Sequence, residues 1–106
     1  MEGYNRSHAA MTTFDQLAEI LSSHRDEVVN RFRVKEMAVF GSYSRGDQRP
    51  NSDVDILVDF SAPVGIEFID LADYLEKILS LRVDLVSRNG IKAGYFEEIR
   101  ADLKYV

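Results

Sequence analysis

The first regular pattern along the chain is a helical one that begins at Thr13. Its apolar side chains recur at three- and four-residue intervals, as on one face of an amphipathic helix. They are Phe14, Leu17, Ala18, Leu21 and Val28. Thr13 and Gln16 have the spacing of a capping box, which satisfies free N–H groups at a helix start. The pattern therefore predicts a first helix that begins near Thr13 and ends near Arg31.

Two strand-like segments follow, joined by the polar connection GSYSRGDQRPNS. The first strand is predicted from Val34 to Phe40, where Gly41 and Ser42 stop the apolar run. The middle of the connection could form a short helix starting at Ser42. In the second strand, from Asp53 to Phe60, alternate residues share a face. Val54, Ile56, Val58 and Phe60 lie on one face, and Asp53, Asp55, Leu57 and Asp59 on the other.

The remaining chain alternates between helical and strand patterns. After a turn at Pro63 and Gly65, apolar residues from Ile66 to Leu79 predict a second long helix. The segment RVDLV, from Arg82 to Val86, predicts a third strand. A last helix is predicted from its apolar stripe, which comprises Tyr95, Phe96, Ile99 and Leu103. This order predicts an α/β (α+β) fold, a small mixed three-stranded sheet flanked by helices.

The length and the composition limit the function classes. A chain of 106 residues with 45% hydrophobic and 29% charged residues fits one domain. We expect a loose leader over residues 1 to 11 and the domain over residues 12 to 106. The net charge of -5 argues against binding a nucleic-acid backbone over a wide surface. The absence of cysteine excludes thiol chemistry, and no apolar run approaches the roughly 20 residues of a membrane helix. We therefore expect a cytoplasmic protein.

Three aspartates are the best candidates for chemistry. Asp53 and Asp55 stand two apart on a strand, so they share a face with α carbons roughly 6.6 Å apart. Such a pair can bridge two magnesium ions about 3.5 to 4 Å apart, which in turn bind phosphate oxygens. Asp84 interrupts the third strand, flanked by Val83 and Leu85. If that strand lies beside the second, Asp84 joins the pair; otherwise it is a solvated residue at a strand end.

The glycine-serine step after the first strand is the second candidate feature. Gly41 allows close approach of a phosphate, and free N–H groups of the backbone with the Ser42 hydroxyl could contact it. Arg45 offers a guanidinium to a phosphate oxygen. Taken alone, such a step is more often a simple turn. Tyr43 could stack on a nucleotide base or cover the loop.

Taken together, the segment VFGSYSRGDQRPNSDVDILVDF resembles the signature of the DNA polymerase beta-like nucleotidyltransferase superfamily. The short chain, the form of the loop and RVDLV look most like its minimal nucleotidyltransferase branch, MntA-type antitoxins of HEPN toxins. The resemblance implies that Asp53, Asp55 and Asp84 are catalytic and hold two Mg²⁺ ions. It also implies contacts of Gly41, Ser42 and Arg45 with the triphosphate of ATP. AMP would then pass to a hydroxyl, expected to be a tyrosine, of a partner HEPN-domain toxin.

Two other functions fit the sequence. One is nucleotidyl transfer to a small molecule such as an aminoglycoside, whose positive charge would suit an acidic protein. The other is a non-catalytic antitoxin that neutralises its partner by binding and retains the aspartates as relics. Replacing Asp53 and Asp55 with asparagine would distinguish this binding module from an enzyme.

Overall fold

The computed structural model describes residues 12–106, so the predicted leader over residues 1–11 lies outside the described residues. The helices are α1 (Phe14–Ser23), α2 (Arg25–Phe32), α3 (Ser42–Arg45), α4 (Ile66–Leu79) and α5 (Ala93–Ile99), and a 3-10 turn (Arg100–Asp102) follows α5. The strands are β1 (Val34–Phe40), β2 (Val54–Phe60), β3 (Val83–Ser87) and β4 (Lys104–Tyr105). No helix of the described part is long and apolar enough to cross a membrane.

The first helical segment differs from its prediction. The capping box is present, since Gln16 N–H donates to Thr13 Oγ1 and Thr13 N–H donates to Gln16 Oε1. The single helix expected up to Arg31 is instead two helices that meet at His24. The Ser23 hydroxyl bonds the Ile20 carbonyl at 2.8 Å, and His24 Nδ1 lies 2.9 Å from the same oxygen. Side chains that bond the backbone in this way compete with the helical ladder.

The sheet has four strands in the order β3-β2-β1-β4. β1 runs antiparallel to both β2 and β4, whereas β2 and β3 are parallel. A parallel pair needs a crossover connection, and α4 supplies it between β2 and β3. The mixed sheet is thus confirmed, but the predicted number of strands was one too low. The extra strand, β4, contains only two residues, which is too short for an alternation of apolar and polar side chains to be visible in the sequence.

The alternation in β2 divides the interior of the protein into two parts. Val54, Ile56, Val58 and Phe60 join the main core with buried leucines of α1 and α4. Leu57, on the opposite face, belongs to a smaller cluster with Phe40 and Ile99, against which Phe96 and Leu103 pack. The second face of the sheet is therefore covered mainly by α5 and the segment after it. Asp55 lies on this second face, near the end where β2 begins.

Candidate active site

Asp55 and Asp84 are direct neighbours across two parallel strands. Their α carbons are paired in the register of β2 and β3, and Asp55 is also paired with Phe40 at the end of β1. Phe40, Asp55 and Asp84 thus form a row across three strands. Asp84 is exposed, whereas Asp55 is partly buried. The third strand therefore lies beside the second, and Asp84 is next to Asp55, as the catalytic interpretation requires. Asp84 is also exposed to water, as the alternative interpretation expected.

The ionised form of Asp55 is disfavoured by its surroundings. Burial raises the pKa of Asp55 first, and the neighbouring charges of Asp84 and Asp53 raise it further, to about 6. Arg45 acts in the opposite direction and lowers it. The contributions of Asp84 and Asp53 to this rise mean that the three carboxylates influence one another electrostatically. Such a cluster is a candidate functional site, since like charges held close together cost stability.

Gly41 fits against the Asp55 carboxyl group. Its φ of 75° and ψ of -150° are a combination that side chains with a Cβ rarely adopt. A Cβ at this position would also overlap the Asp55 carboxylate and would lie 3.1 Å from its Cγ. The glycine therefore allows the chain to pass directly over Asp55. This close approach joins the Gly41–Ser42 loop to the carboxylate cluster.

Asp53 lies just before β2 and has a cationic partner. Arg82 Nε is 3.1 Å from Asp53 Oδ1, in a pair whose side chains are largely exposed. Among residues 12–106, no three His, Cys, Asp or Glu side chains are placed to hold a metal ion in their present orientations. The ion pair with Arg82 explains this arrangement in part, because it directs the Asp53 carboxylate, one of the three proposed metal ligands, toward Arg82.

Arg45 also has acidic partners. Its Nη1 lies 2.7 Å from Asp102 Oδ2, and its Nε lies 3.2 Å from Asp47 Oδ2. The hydrogen bonds that Arg45 donates to these two carboxylates raise its pKa. The Ser44 hydroxyl donates to the Asp102 backbone carbonyl. The loop that begins at Gly41 is thereby fastened to the 3-10 turn near the C-terminus of the chain.

The two alternatives left open for Tyr43 are resolved by its burial. Tyr43 is 3% exposed and belongs to the main hydrophobic core. It therefore anchors α3 to the main core and is not available to stack on a base. Ser42 is partly buried at the start of α3, where it follows Gly41 directly.

With this geometry established, the comparisons with known proteins identify the family. The family model of the nucleotidyltransferase domain matches residues 21–105. The chain belongs to this family. It is 46% identical over 98 residues to the protein adenylyltransferase MntA of Thermococcus cleftensis, an alignment that covers 92% of this chain and 99% of that protein.

Solved structures agree with the nucleotidyltransferase assignment. A toxin-antitoxin structure with AMP-PNP superposes with a TM-score of 0.67 at 27% identity, covering 89% of this chain and 72% of the other. A mutant of the MntA-HpeT toxin-antitoxin superposes with a TM-score of 0.66 at 25% identity, again covering 89% and 72%. The predicted family and fold are confirmed.

Three residues of this nucleotidyltransferase site were not predicted. Arg82 and Asp102 form the ion pairs described above, and Tyr95 packs edge-on against Phe40 with ring centroids 6.4 Å apart. Tyr95 was assigned to the apolar stripe of the last helix, yet it is 42% exposed. Helical spacing places Tyr95 at the edge of that stripe, and spacing alone does not show whether such a residue is buried. It lies over the row of Phe40, Asp55 and Asp84.

Proposed function

We propose that this nucleotidyltransferase transfers AMP from ATP to a tyrosine hydroxyl of a HEPN-domain toxin and so acts as its antitoxin. The observation that carries the proposal is the pairing of Asp55 with Asp84 directly beneath Gly41. This places a carboxylate cluster beside a loop whose backbone a phosphate can approach closely. MntA as the relative, and the structural likeness to toxin-antitoxin complexes, support the choice of acceptor.

In the proposed site, Asp53, Asp55 and Asp84 hold two Mg²⁺ ions. The fit rests on the clustering of three carboxylates, since aspartate oxygens are the ligands that magnesium prefers. The ions would neutralise charge on the triphosphate and on the transferring phosphorus. For Asp53 to serve as a ligand, its carboxylate must turn away from Arg82. We assign ATP as the donor and place the reaction in the cytoplasm, where ATP is available.

The remaining residues of the site bind and orient the nucleotide. We assign the backbone N–H of Ser42 and its hydroxyl to the triphosphate, with Gly41 leaving the necessary space. Arg45 is assigned to a phosphate oxygen, since its bonds to Asp47 and Asp102 use only two of its five guanidinium N–H groups. Asp84, which is exposed on the edge strand β3, is assigned to accept the proton of an incoming hydroxyl group.

A labelling experiment tests this function. The purified protein is incubated with ATP labelled at the α-phosphate, with magnesium, and with the product of the adjacent gene. We expect label on that product only when magnesium is present. The double variant Asp53→Asn/Asp55→Asn should lose the transfer. Asp59→Asn is the matched control, since Asp59 lies on the same face of β2 but toward its other end.

The same reactions, with the toxin's activity assayed after each of them, separate the alternatives. A double variant that still neutralises the toxin fully would show that binding alone is sufficient, and the catalytic proposal would then fail. Label on an aminoglycoside, with none on the adjacent gene product, would move the acceptor to the small-molecule class. Absence of label on any acceptor with the wild-type protein would exclude the enzymatic function.

A further inference from the structure

Tyr95 is the tyrosine that the fold places beside the carboxylate cluster. It is the third residue of α5, and its ring meets that of Phe40 at an interplanar angle of 80°. Phe40 is the strand partner of Asp55, and Asp55 is the strand partner of Asp84. Burial raises the pKa of Tyr95 and the charges of Asp55 and Asp84 add to that rise, so its hydroxyl lies within electrostatic range of both carboxylates.

The other tyrosines within residues 12–106 do not share this position. Tyr43 is buried in the main core. Tyr74 belongs to α4 and packs against Phe32, on the other face of the sheet. Tyr105 is 61% exposed, but it lies on β4, at the edge of the sheet opposite β3. Tyr95 therefore combines exposure with proximity to the proposed chemistry.

We propose that Tyr95 is an acceptor within the same chain, so that the protein transfers AMP to its own Tyr95 hydroxyl when no partner is docked. This proposal rests on the function proposed above, because it uses the same donor and the same carboxylates. In both proposals the acceptor is a tyrosine hydroxyl. The new element is that Tyr95 of the chain itself lies beside the carboxylate cluster and can serve as that acceptor.

The proposed step is a substitution at the α-phosphorus of ATP. The Tyr95 Oη atom forms a bond to that phosphorus, and the bond between the α-phosphorus and the bridging oxygen breaks. Pyrophosphate leaves with the electron pair, and the phenolic proton passes to a carboxylate of the cluster and then to water. The product is an AMP-tyrosine phosphodiester on α5.

Self-modification would also regulate the site. An AMP group on Tyr95 would stand over the row of Phe40, Asp55 and Asp84, where an acceptor from a partner must enter. The modified chain is therefore expected to transfer AMP to a partner at least about tenfold more slowly than the unmodified chain, since access to the reacting groups is lost.

The test incubates the full chain with labelled ATP and magnesium, alone and in a parallel reaction with the product of the adjacent gene, and locates the label by peptide mass spectrometry. We expect one AMP per chain on the peptide that contains Tyr95, at a rate that does not depend on protein concentration. Tyr95→Phe, which keeps the ring against Phe40, should lose this label, and circular dichroism checks that it is folded. Tyr105→Phe is the control, and it should label as the wild type does.

Three outcomes would overturn the inference. Label that appears only on the adjacent gene product would refute self-modification and leave the proposed function standing. Label on neither protein would refute both. Label on the isolated chain that persists in Tyr95→Phe, or whose rate rises in proportion to protein concentration, would show that the acceptor is another residue or another molecule.

Discussion

The carboxylate cluster should reduce the stability of the free protein, and Asp55→Asn tests this directly. Asn has nearly the shape of Asp but cannot ionise, so the variant removes one negative charge and leaves the packing beneath Gly41 similar. The rise in the pKa of Asp55 from 3.8 to about 6 corresponds to at most about 3 kcal/mol, since each pH unit is worth about 1.4 kcal/mol. Asp55 is only partly buried, so solvent screening lowers the expected gain to about 1 to 2 kcal/mol.

The sign of the pH dependence follows from a folded-state pKa above the unfolded one. Well below about pH 4 Asp55 is protonated in both states, and it imposes no penalty on folding. As pH rises from the unfolded pKa of 3.8 through the folded pKa of about 6, the unfolded chain releases this proton more readily, so the protein loses stability. Asp55→Asn should therefore approach the wild type in stability as pH falls toward about 4 and exceed it above about pH 7.

The assay is thermal unfolding followed by circular dichroism, with EDTA present so that no divalent cation binds the cluster. At about pH 7.5 we expect the melting temperature of Asp55→Asn to be roughly 5 to 10 °C higher than that of the wild type, and at about pH 4.5 the difference should shrink strongly. Asp59→Asn, on the same strand face, controls for the loss of one charge from the acidic chain. A stability gain that is absent, or that is equal at both pH values, would refute the electrostatic reasoning.

Four further substitutions test the rest of the site. Gly41→Ala introduces a Cβ at a positive φ against Asp55. We expect about 1 to 3 kcal/mol of destabilisation, measured by urea unfolding, and loss of nucleotidyl transfer. Near wild-type activity would contradict the close approach of Gly41 to Asp55. Arg45→Ala should raise the KM for ATP roughly tenfold, with a smaller effect on kcat, and an unchanged KM would exclude the phosphate contact. Asp102→Asn should raise the KM less, because this variant only removes a partner that orients Arg45. Arg82→Ala should lower the magnesium concentration needed for half-maximal activity while unfolding free energy changes by less than about 0.5 kcal/mol; a higher magnesium requirement would show that Arg82 assists metal binding.

The parts of the site that follow from strand periodicity were predictable from the sequence. Alternation along β2 placed Val54 and Ile56 in the core and Asp55 on the opposite face, as observed. The parallel pairing of β2 and β3, which brings Asp84 beside Asp55, was not predictable from sequence spacing alone. Strand order is decided by tertiary packing of the α4 crossover on the sheet.

The parts that depend on single long-range contacts were not predictable. Arg45 and Asp102 are 57 positions apart, and exposed charges show no periodic pattern that would pair them. The break of the first helix at His24 arises from local bonds of Ser23 and His24 to one carbonyl, which compete with an otherwise continuous apolar stripe. Tyr95 lies at helical spacing, but spacing does not show whether a side chain at the edge of a stripe is buried.

The two unpredicted ion pairs have a common electrostatic consequence. Asp53, a proposed metal ligand, is paired with Arg82, and Arg45, a proposed phosphate ligand, is paired with Asp102. In the free chain these two proposed ligands, Asp53 and Arg45, therefore each have a partner of opposite charge. Binding of a magnesium nucleotide would give Asp53 a cation in place of Arg82 and would give Arg45 a phosphate oxygen as a further acceptor. Asp55 forms no ion pair with any of residues 12–106, and burial, followed by the charges of Asp84 and Asp53, raises its pKa to about 6.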